Sequence, residues 1–522
     1  MLAQRWPFLA GCALALLIAA GPAAAHTSPA PPRFKVMVLD RLPRAEFARL
    51  ARRGAVGLLV PGPGPTTSHA LALNELIRGQ EVNARIGHDP GGPVVIGAAH
   101  ASGAPSGGNI IVVTLPRPGD ALANDRRYRI AVVGGGFHGL LTSDTTRIPG
   151  LVSIVDVAPT ALAHTLGTLG STPSRDAVGA LARLDARIHA DNRLKFPALF
   201  IVAGALLFLA AVRPRAAGLA VPAALGTNLA LGAAGVAGEV AICTVLTVGT
   251  VGGALLLERW CRDERVVLLL CAGVVLLYAL AMVAHPDWVA VTPLGPTQNQ
   301  RFWGIGNQLE TLLLAPMLAA CVLAQRLFGA VGFAAAALCF LAVMTDNALG
   351  ADGGGAIALG VALAFLAARR FALSASGFVS VLAAAGGAVV VLVQRGLDAG
   401  GPDHLRSAFS GGLGGVVSVL VNRVPLAYGP AIAQWQLVLP LAAVLVLVLV
   451  VLVARARTTI QRDVAHALVV ATAVSLVVND SAAYVLTGAI AALCMAARLH
   501  VVPAERFAWR FAAARPGRLD ES

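Results

Sequence analysis

From Lys195 onward the chain repeats one pattern: apolar stretches of about 17–22 residues separated by polar turns, with one long outer loop over 394–434. A helix of that length is what crosses the hydrocarbon core of a bilayer. A helix apolar on all sides has no face left for water, so it is buried in protein or in lipid. The stretches lie near 195–212, 216–235, 239–257, 266–284, 306–324, 327–345, 353–368, 372–393, 435–454, 464–479 and 482–497. Composition agrees. The chain is 57% hydrophobic and only 13% charged, with a mean hydropathy of +0.75, against about 25% charge in a soluble domain. The expected fold class is a membrane all-α protein of about eleven transmembrane helices over 193–500, with an N-terminal extracytoplasmic α/β domain.

Residues 1–25 carry Arg5, the apolar run Phe8–Ala20 and then Ala23-Ala24-Ala25. This is the pattern of a secretory signal peptide. Whether the signal is cleaved or kept as an anchor, the segment after it, 26–192, is exported. The arginines point the same way. With 26–192 outside, alternate turns face the cytoplasm. These hold Arg213, Arg215, Arg259, Arg262, Arg265, Arg326, Arg369, Arg370, Arg455, Arg457, Arg462 and an Arg-rich tail beginning at Arg498 and continuing through 501–522. The outer turns hold only Arg301, Arg395, Arg406 and Arg423. Cytoplasmic turns retain Lys and Arg during insertion, so the bias orients the chain in an inner (plasma) membrane. It also accounts for the net charge of +13. Nucleic acid is not an expected partner, because the arginines are scattered and form no basic stripe. Membrane lipids are. The seven cysteines show no CxxC or Cys/His spacing, so no zinc site is expected.

Residues 26–192 differ in texture. Short β-rich runs at Lys35–Leu39, Val94–Gly97, Asn109–Leu115, Arg129–Gly134 and Leu151–Ile154 alternate with Pro/Gly loops and a helix near Arg44–Arg53. That alternation reads as α/β. A polar helical stretch, 174–192, leads into the membrane. Two segments carry a resemblance. One is Val36-Met37-Val38-Leu39-Asp40-Arg41-Leu42, followed by Leu50-Ala51-Arg52-Arg53-Gly54-Ala55. The other is Arg147-Ile148-Pro149-Gly150-Leu151-Val152-Ser153-Ile154-Val155-Asp156-Val157-Ala158-Pro159-Thr160. Together they resemble the opening strand and the late R-x-P-G-x-V-x-x-x-D-x-A-P-T segment of the alkaline phosphatase/sulfatase superfamily. The resemblance implies a divalent-metal phosphotransfer site, with Asp40, His69 and His138 as metal ligands and a nucleophile among Thr66, Thr67 and Ser68. The domain is about half the usual length. It has Gly134-Gly135-Gly136-Phe137-His138-Gly139 where an Asp-His pair is usual, and Arg41 where a small residue is usual. The expectation is a truncated, degenerate relative, and the sequence names no cofactor. Asp156 reads as a helix-capping residue.

Four polar clusters fall on the outer side. They are Thr297–Glu310, Thr345–Gly355, the loop holding Arg406 and Arg423, and Asn479-Asp480-Ser481. Arg301, Glu310, Asp346, Asp352 and Asp480 are the candidate catalytic residues, because ionisable groups at membrane depth are expensive and mark function. Asn307, one turn before Glu310, shares its face. Gly353-Gly354-Gly355 opens a helix with bare N–H groups that suit an anion; alternatively, Asp352 is only the cap and the glycines permit close packing. With Asn479, Arg406 and Arg423 these form the candidate substrate-binding set. The clusters resemble R-F-Y-G-I-G-N-E, G-A-D-x-G-G and N-D-S-G segments of bacterial membrane proteins with a phosphatase-like ectodomain. Gln308 stands where Glu is common there, and this shifts weight to Glu310.

Three functions fit. The first is an envelope enzyme acting on a lipid-linked, phosphate-bearing or glycan substrate at the outer leaflet. The second is a transporter or flippase of envelope lipid or glycan. The third is a non-catalytic scaffold with a ligand-binding ectodomain.

Overall fold

The structure is a computed structural model that describes residues 34–62, 66–79, 99–100, 108–119, 122–162, 169–296, 302–346, 348–398, 432–454, 456–479 and 481–502. The signal segment 1–25, the expected strand Val94–Gly97 and the tail from residue 503 lie outside these residues. So do Arg301, Arg406, Arg423 and Asp480.

The N-terminal region is an α/β domain. Its strands are β1 (Lys35–Leu39), β2 (Gly54–Val60), β3 (Thr66–Thr67), β4 (Ala99–His100), β5 (Ile110–Thr114), β6 (Leu122–Ala123), β7 (Tyr128–Val133), β8 (Gly139–Ser143), β9 (Leu151–Ser153) and β10 (Leu169–Thr172). Eight of them form one sheet in the order β10-β8-β2-β7-β5-β1-β4, with β9 pairing beside β8 on the same edge of β2. β1, β5, β2, β8 and β9 run parallel to one another, and β7 runs against them. Every residue of β2 and β5 is buried, as expected of strands covered on both faces. One face packs on α2 (His69–Arg78) and α3 (Val157–Ala161) through Ala72, Leu76 and Ala158. The other packs on α1 (Arg44–Ala51), through Phe47 and Leu50, and on the start of α4 (Ala177–Val212), through Leu181, Leu184 and Ile188. β2 and β8 escape a pattern reading because each carries glycine. Gly54 is required: a Cβ there would stand 2.0 Å from the Val132 carbonyl oxygen.

The rest is helical: α5 (Ala220–Ala234), α6 (Glu239–Trp260), α7 (Glu264–Ala284), α8 (Asn307–Thr345), α9 (Gly353–Phe371), α10 (Ala375–Asp398), α11 (Trp435–Val448), α12 (Thr459–Val478) and α13 (Ala482–Arg498). Among the described residues, seven helices are long and apolar enough to cross a membrane, and three shorter ones are apolar. The bundle carries large apolar side chains outward, among them Phe208, Leu256, Leu269, Leu280 and Val450. A soluble monomer rarely shows so large an apolar surface; lipid satisfies it. Two boundaries differ from expectation. The polar stretch 174–192 and the first apolar stretch are one helix, α4, which runs on through Pro197. α8 contains both the fifth and sixth stretches, bent where Gly329 takes φ 68°, ψ −154°.

The opposite ends of the bundle are chemically different. At one end Arg369 and Arg370 bind Asp463 at 3.2 and 3.0 Å, and Arg326 binds Glu264 at 3.1 Å. At the other end stand Glu310, Asp352 and Asn479, beside the N-terminal domain. Sixteen helical residues separate Glu310 from Arg326, about 24 Å.

Candidate functional site

The site begins in the segment before α8. Gly304 takes φ +86°, and a Cβ there would lie 2.4 Å from the Gly350 carbonyl oxygen. Only glycine permits both. That approach lets the Ile305 N–H donate to the same carbonyl at 2.8 Å. Residues 348–352 fold back onto the end of α8: Gly350 N–H donates to Val343 O (2.9 Å) and Asp352 N–H to Met344 O (2.9 Å). These bonds satisfy carbonyls that a helix end leaves open. Two of the polar motifs therefore form a single folded unit.

Within that unit Glu310 lies in the first turn of α8 with no exposed surface. Ser475 Oγ donates to its Oε1 at 3.1 Å, and Asn479 Nδ2 donates to its Oε2 at 2.6 Å; Asn479 Nδ2 also reaches Ser475 Oγ at 2.6 Å. Asp352, buried, caps α9 by accepting from Gly355 N–H at 3.2 Å. Asp352 Oδ2 and Glu310 Cγ each lie 2.9 Å from where a Gly355 Cβ would stand. The two acids therefore border one small volume. A Cβ on Gly354 would stand 2.2 Å from Asn479 Oδ1. These contacts bring together Glu310, Asp352, Gly354, Gly355 and Asn479, drawn from three chain segments.

The other candidates sit around this core with different roles. The anion cradle expected of Gly353–Gly355 is corrected at its last member, because the Gly355 N–H is already committed to Asp352. Gly354 and Gly355 serve close approach, while Gly353 is half-buried at the helix start. Asp346 holds its own loop, with Oδ1 accepting from Ala348 N–H at 2.7 Å. Asn307 is half-buried, and its carbonyl accepts from Thr311 Oγ1 at 3.0 Å. Ser475 was not expected from the sequence. Its signal was its position one turn before Asn479, which places both on one face of α12.

A second buried polar group was also unexpected. Lys195 Nζ donates to Thr292 O and Gly295 O, both at 2.8 Å. Asn228 Nδ2 reaches Tyr278 Oη at 3.0 Å and Thr292 Oγ1 at 3.1 Å. Together they fasten the connector 291–295 to α4, α5 and α7.

The N-terminal domain docks on the Glu310 unit. The Trp303 Nε1–H donates to Thr145 O at 3.0 Å, and the Arg147 guanidinium stacks 3.5 Å from the Trp303 ring centroid. Phe302, Ala290 and Val291 join the apolar layer under the sheet. Thr145 follows the C-terminal end of β8, so that end of the parallel strands faces the bundle. Arg127, at the same end, binds Asp185 further along α4.

The three expected metal ligands are not brought together. Asp40 follows the C-terminal end of β1. His69 lies at that end too, its Nδ1 bonded to Pro116 O at 2.8 Å. His138 precedes β8, at the opposite end of the sheet. Strands rise about 3.3 Å per residue, so the length of the sheet separates Asp40 from His138. No group of three or more His, Cys, Asp or Glu suited to a metal occurs among the described residues. Thr67 pairs in a short strand, and Ser68 caps α2 by accepting from Leu71 N–H at 3.2 Å.

Asp156 is buried inside the motif that carried the resemblance. Ser143 Oγ donates to it, as do Thr145 Oγ1 at 2.6 Å and Ser153 N–H at 3.3 Å, closing a capping box. Burial pushes its carboxyl up from an ordinary 3.8 to about 6, against the pull of these donors. The native domain thus holds the proton more tightly than the unfolded chain does. The resulting stability is fully present below pH 4 and is lost as pH rises through 6, about 3 kcal/mol in all. Chemical unfolding of the domain followed from pH 4 to 7.5 is expected to show that fall. Asp156→Asn, which cannot ionise, is expected to flatten it; an unchanged profile in the variant would refute the assignment.

No protein-family model matches the chain, and neither does any curated protein or solved structure.

Proposed function

We propose that this is a multi-pass protein of the inner membrane and cell envelope, with about eleven spans. In this reading the N-terminal domain and the Glu310 unit are outside and the Arg-rich tail is inside. The protein acts on a lipid-linked, phosphate-bearing or glycan substrate at the outer leaflet. The observation that carries the reading is the buried Glu310 carboxylate, held by Ser475 and Asn479 with Asp352 beside it, directly beneath a docked α/β domain. A carboxylate this deep is expensive to bury and suits proton transfer to or from a substrate hydroxyl or phosphate. Arg301, adjacent in the chain to Phe302, supplies the cation for the phosphate. The arginine-rich opposite end of the bundle supports the orientation. The apolar middles of α8 and α9, between the two polar ends, favour surface chemistry over a transport path.

The superfamily resemblance enters as a proposal about ancestry. The domain is a non-catalytic relative, and its late segment now positions Arg147, Thr145 and Asp156 at the junction with the bundle. The separation of Asp40 from His138 supports that reading.

The test is lipid analysis of detergent-purified full-length protein. Glu310→Gln is expected to retain a phosphate-bearing lipid that wild type turns over, with turnover reduced about 10²–10⁴-fold, the usual worth of a general acid or base. Identical bound lipids in both proteins, with no change in envelope lipids when the protein is removed from cells, would sink the proposal.

A further inference from the structure

The end of the sheet that faces away from the bundle holds a cleft of about 530 Å³. Its walls are Arg52 and Arg53, just past α1; His138 and Gly139, at the start of β8; and Ser174 and Arg175, before α4. The lining includes no carboxylate. Asp176, next in the chain to Arg175, is turned to other work: it accepts from Gly179 N–H at 2.9 Å as the cap of α4 and lies 3.5 Å from Arg183. Glu46, on α1, is taken by Arg49.

The loop that brings His138 to the cleft is built for this position. Gly134, Gly135 and Gly136 all take positive φ, at +93°, +58° and +80°. Three such residues in succession turn the chain sharply, a path open to glycine, and deliver His138 to the cleft wall. His138 Nδ1 donates to Gly136 O at 2.9 Å, since a carbonyl can only accept, and this fixes the ring at the cleft wall. Gly139, at φ +83°, has no room for a side chain, because a Cβ would stand 2.3 Å from Thr172 O. The loop is also anchored to the domain, through Phe137 stacked edge-on against Phe34 and His138 N–H donating to Ser171 Oγ at 3.2 Å, and the Glu310 unit does not use it.

We propose that this cleft binds a soluble anion bearing two or more phosphate groups. Three arginines line it, and a guanidinium fork matches phosphate oxygens two at a time. The volume admits a ligand the size of a sugar phosphate. Reach disfavours lipid headgroups, since the apolar stretch expected to enter the membrane begins at Lys195. Ala177, beside the cleft, precedes Lys195 by eighteen helical residues, about 27 Å of helix. The inference rests on the cleft alone and is independent of the chemistry at Glu310.

The experiment is calorimetric titration of the full chain in nanodiscs with sodium tripolyphosphate, and with inorganic phosphate for comparison. Saturable binding at one site is expected, tighter for tripolyphosphate and weaker at higher salt. The double variant Arg52→Ala/Arg53→Ala and the single variant Arg175→Ala are each expected to weaken it at least about tenfold. Arg49→Ala, outside the cleft, is expected to leave it unchanged. All these arginines are exposed, so the variants fold, and a melting curve checks that they do. Absence of saturable binding overturns the proposal, as does binding that survives the cleft variants or falls equally with Arg49→Ala. Binding of nanodiscs to phosphatidylglycerol vesicles that is lost with the cleft variants would assign the cleft to lipid headgroups and overturn the soluble ligand.

Discussion

Glu310→Ala is expected to destabilise the helical bundle by about 3–5 kcal/mol, the usual result of breaking a buried charged hydrogen-bond network. The substitution deletes the acceptor for Ser475 Oγ and Asn479 Nδ2 and leaves a void in a packed interior. Buried donors without acceptors carry the full desolvation penalty. Glu310→Gln keeps the volume and one carbonyl oxygen. Asn479 can still donate to that oxygen, and the Ser475 hydroxyl can rotate to accept from the new amide. Gln is therefore expected to cost about 1 kcal/mol. The two variants separate stability from chemistry: both are expected to lose the proposed lipid turnover, but only Ala the fold. Thermal unfolding of the detergent-purified proteins measures the difference. Equal melting temperatures for wild type and Glu310→Ala would mean that the buried network does not hold the helix ends together.

Trp303→Ala is expected to loosen the N-terminal domain from the bundle by about 2–4 kcal/mol, the range for a central aromatic anchor at an interface. It removes the stack on Arg147, the hydrogen bond to Thr145 O and the apolar contact beneath the sheet. Arg147 sits at φ +57°, a backbone conformation that disfavours non-glycine residues by roughly 1–2 kcal/mol. Stacking on Trp303 offsets that strain. Trp303→Phe keeps an aromatic face and loses only the hydrogen bond, about 1 kcal/mol. Amide hydrogen exchange across residues 143–152 reads the effect. Faster exchange is expected in Trp303→Ala, with the strands β2 and β5 still protected. Unchanged exchange at 143–152 would refute the docking role.

The two variants act on one continuous line of contacts. Asp156 accepts from the Thr145 hydroxyl, Thr145 O accepts from Trp303, and Trp303 leads through Gly304 and Ile305 into the helix that carries Glu310. Of this line, the sequence displayed the end points. Asp156 stood out before Ala158-Pro159-Thr160, and Glu310 stood out as an acid inside an apolar stretch. Trp303 lay unremarked within the polar cluster Thr297–Glu310. Its partner lies 158 residues earlier in the chain, and no local pattern encodes a contact over that distance. Ser475 was hidden for the same reason. A serine in an apolar helix is unremarkable until the helix beside it presents a carboxylate, and Glu310 is 165 residues away.

Secondary structure was more legible than the sites. β1 coincides with the apolar run at Lys35–Leu39, and α1 lies within the helical stretch 44–53. Both are built from local preference and periodicity. β2 and β8 were missed because their glycines lower strand propensity, while burial and close packing on neighbouring strands override it. The expected metal set failed on geometry. Asp40 and His138 looked equivalent as ligands, yet the parallel pairing of the strands puts one after a strand and the other before a strand.

The chain by itself determined its solvent and its layers. Apolar length demands lipid, arginine placement gives the bundle two unlike ends, and β-rich texture marks an α/β domain before it. These properties are local, set by composition and by the residues within a turn or two. Only the tertiary structure decided which polar residues meet. It joined Glu310 to Asn479, committed the Gly355 N–H to the Asp352 cap, and gathered Arg52, Arg53, His138 and Arg175 around one cleft. Side-chain contacts reach only a few ångströms, and which residues come within that reach is set by how the whole chain packs.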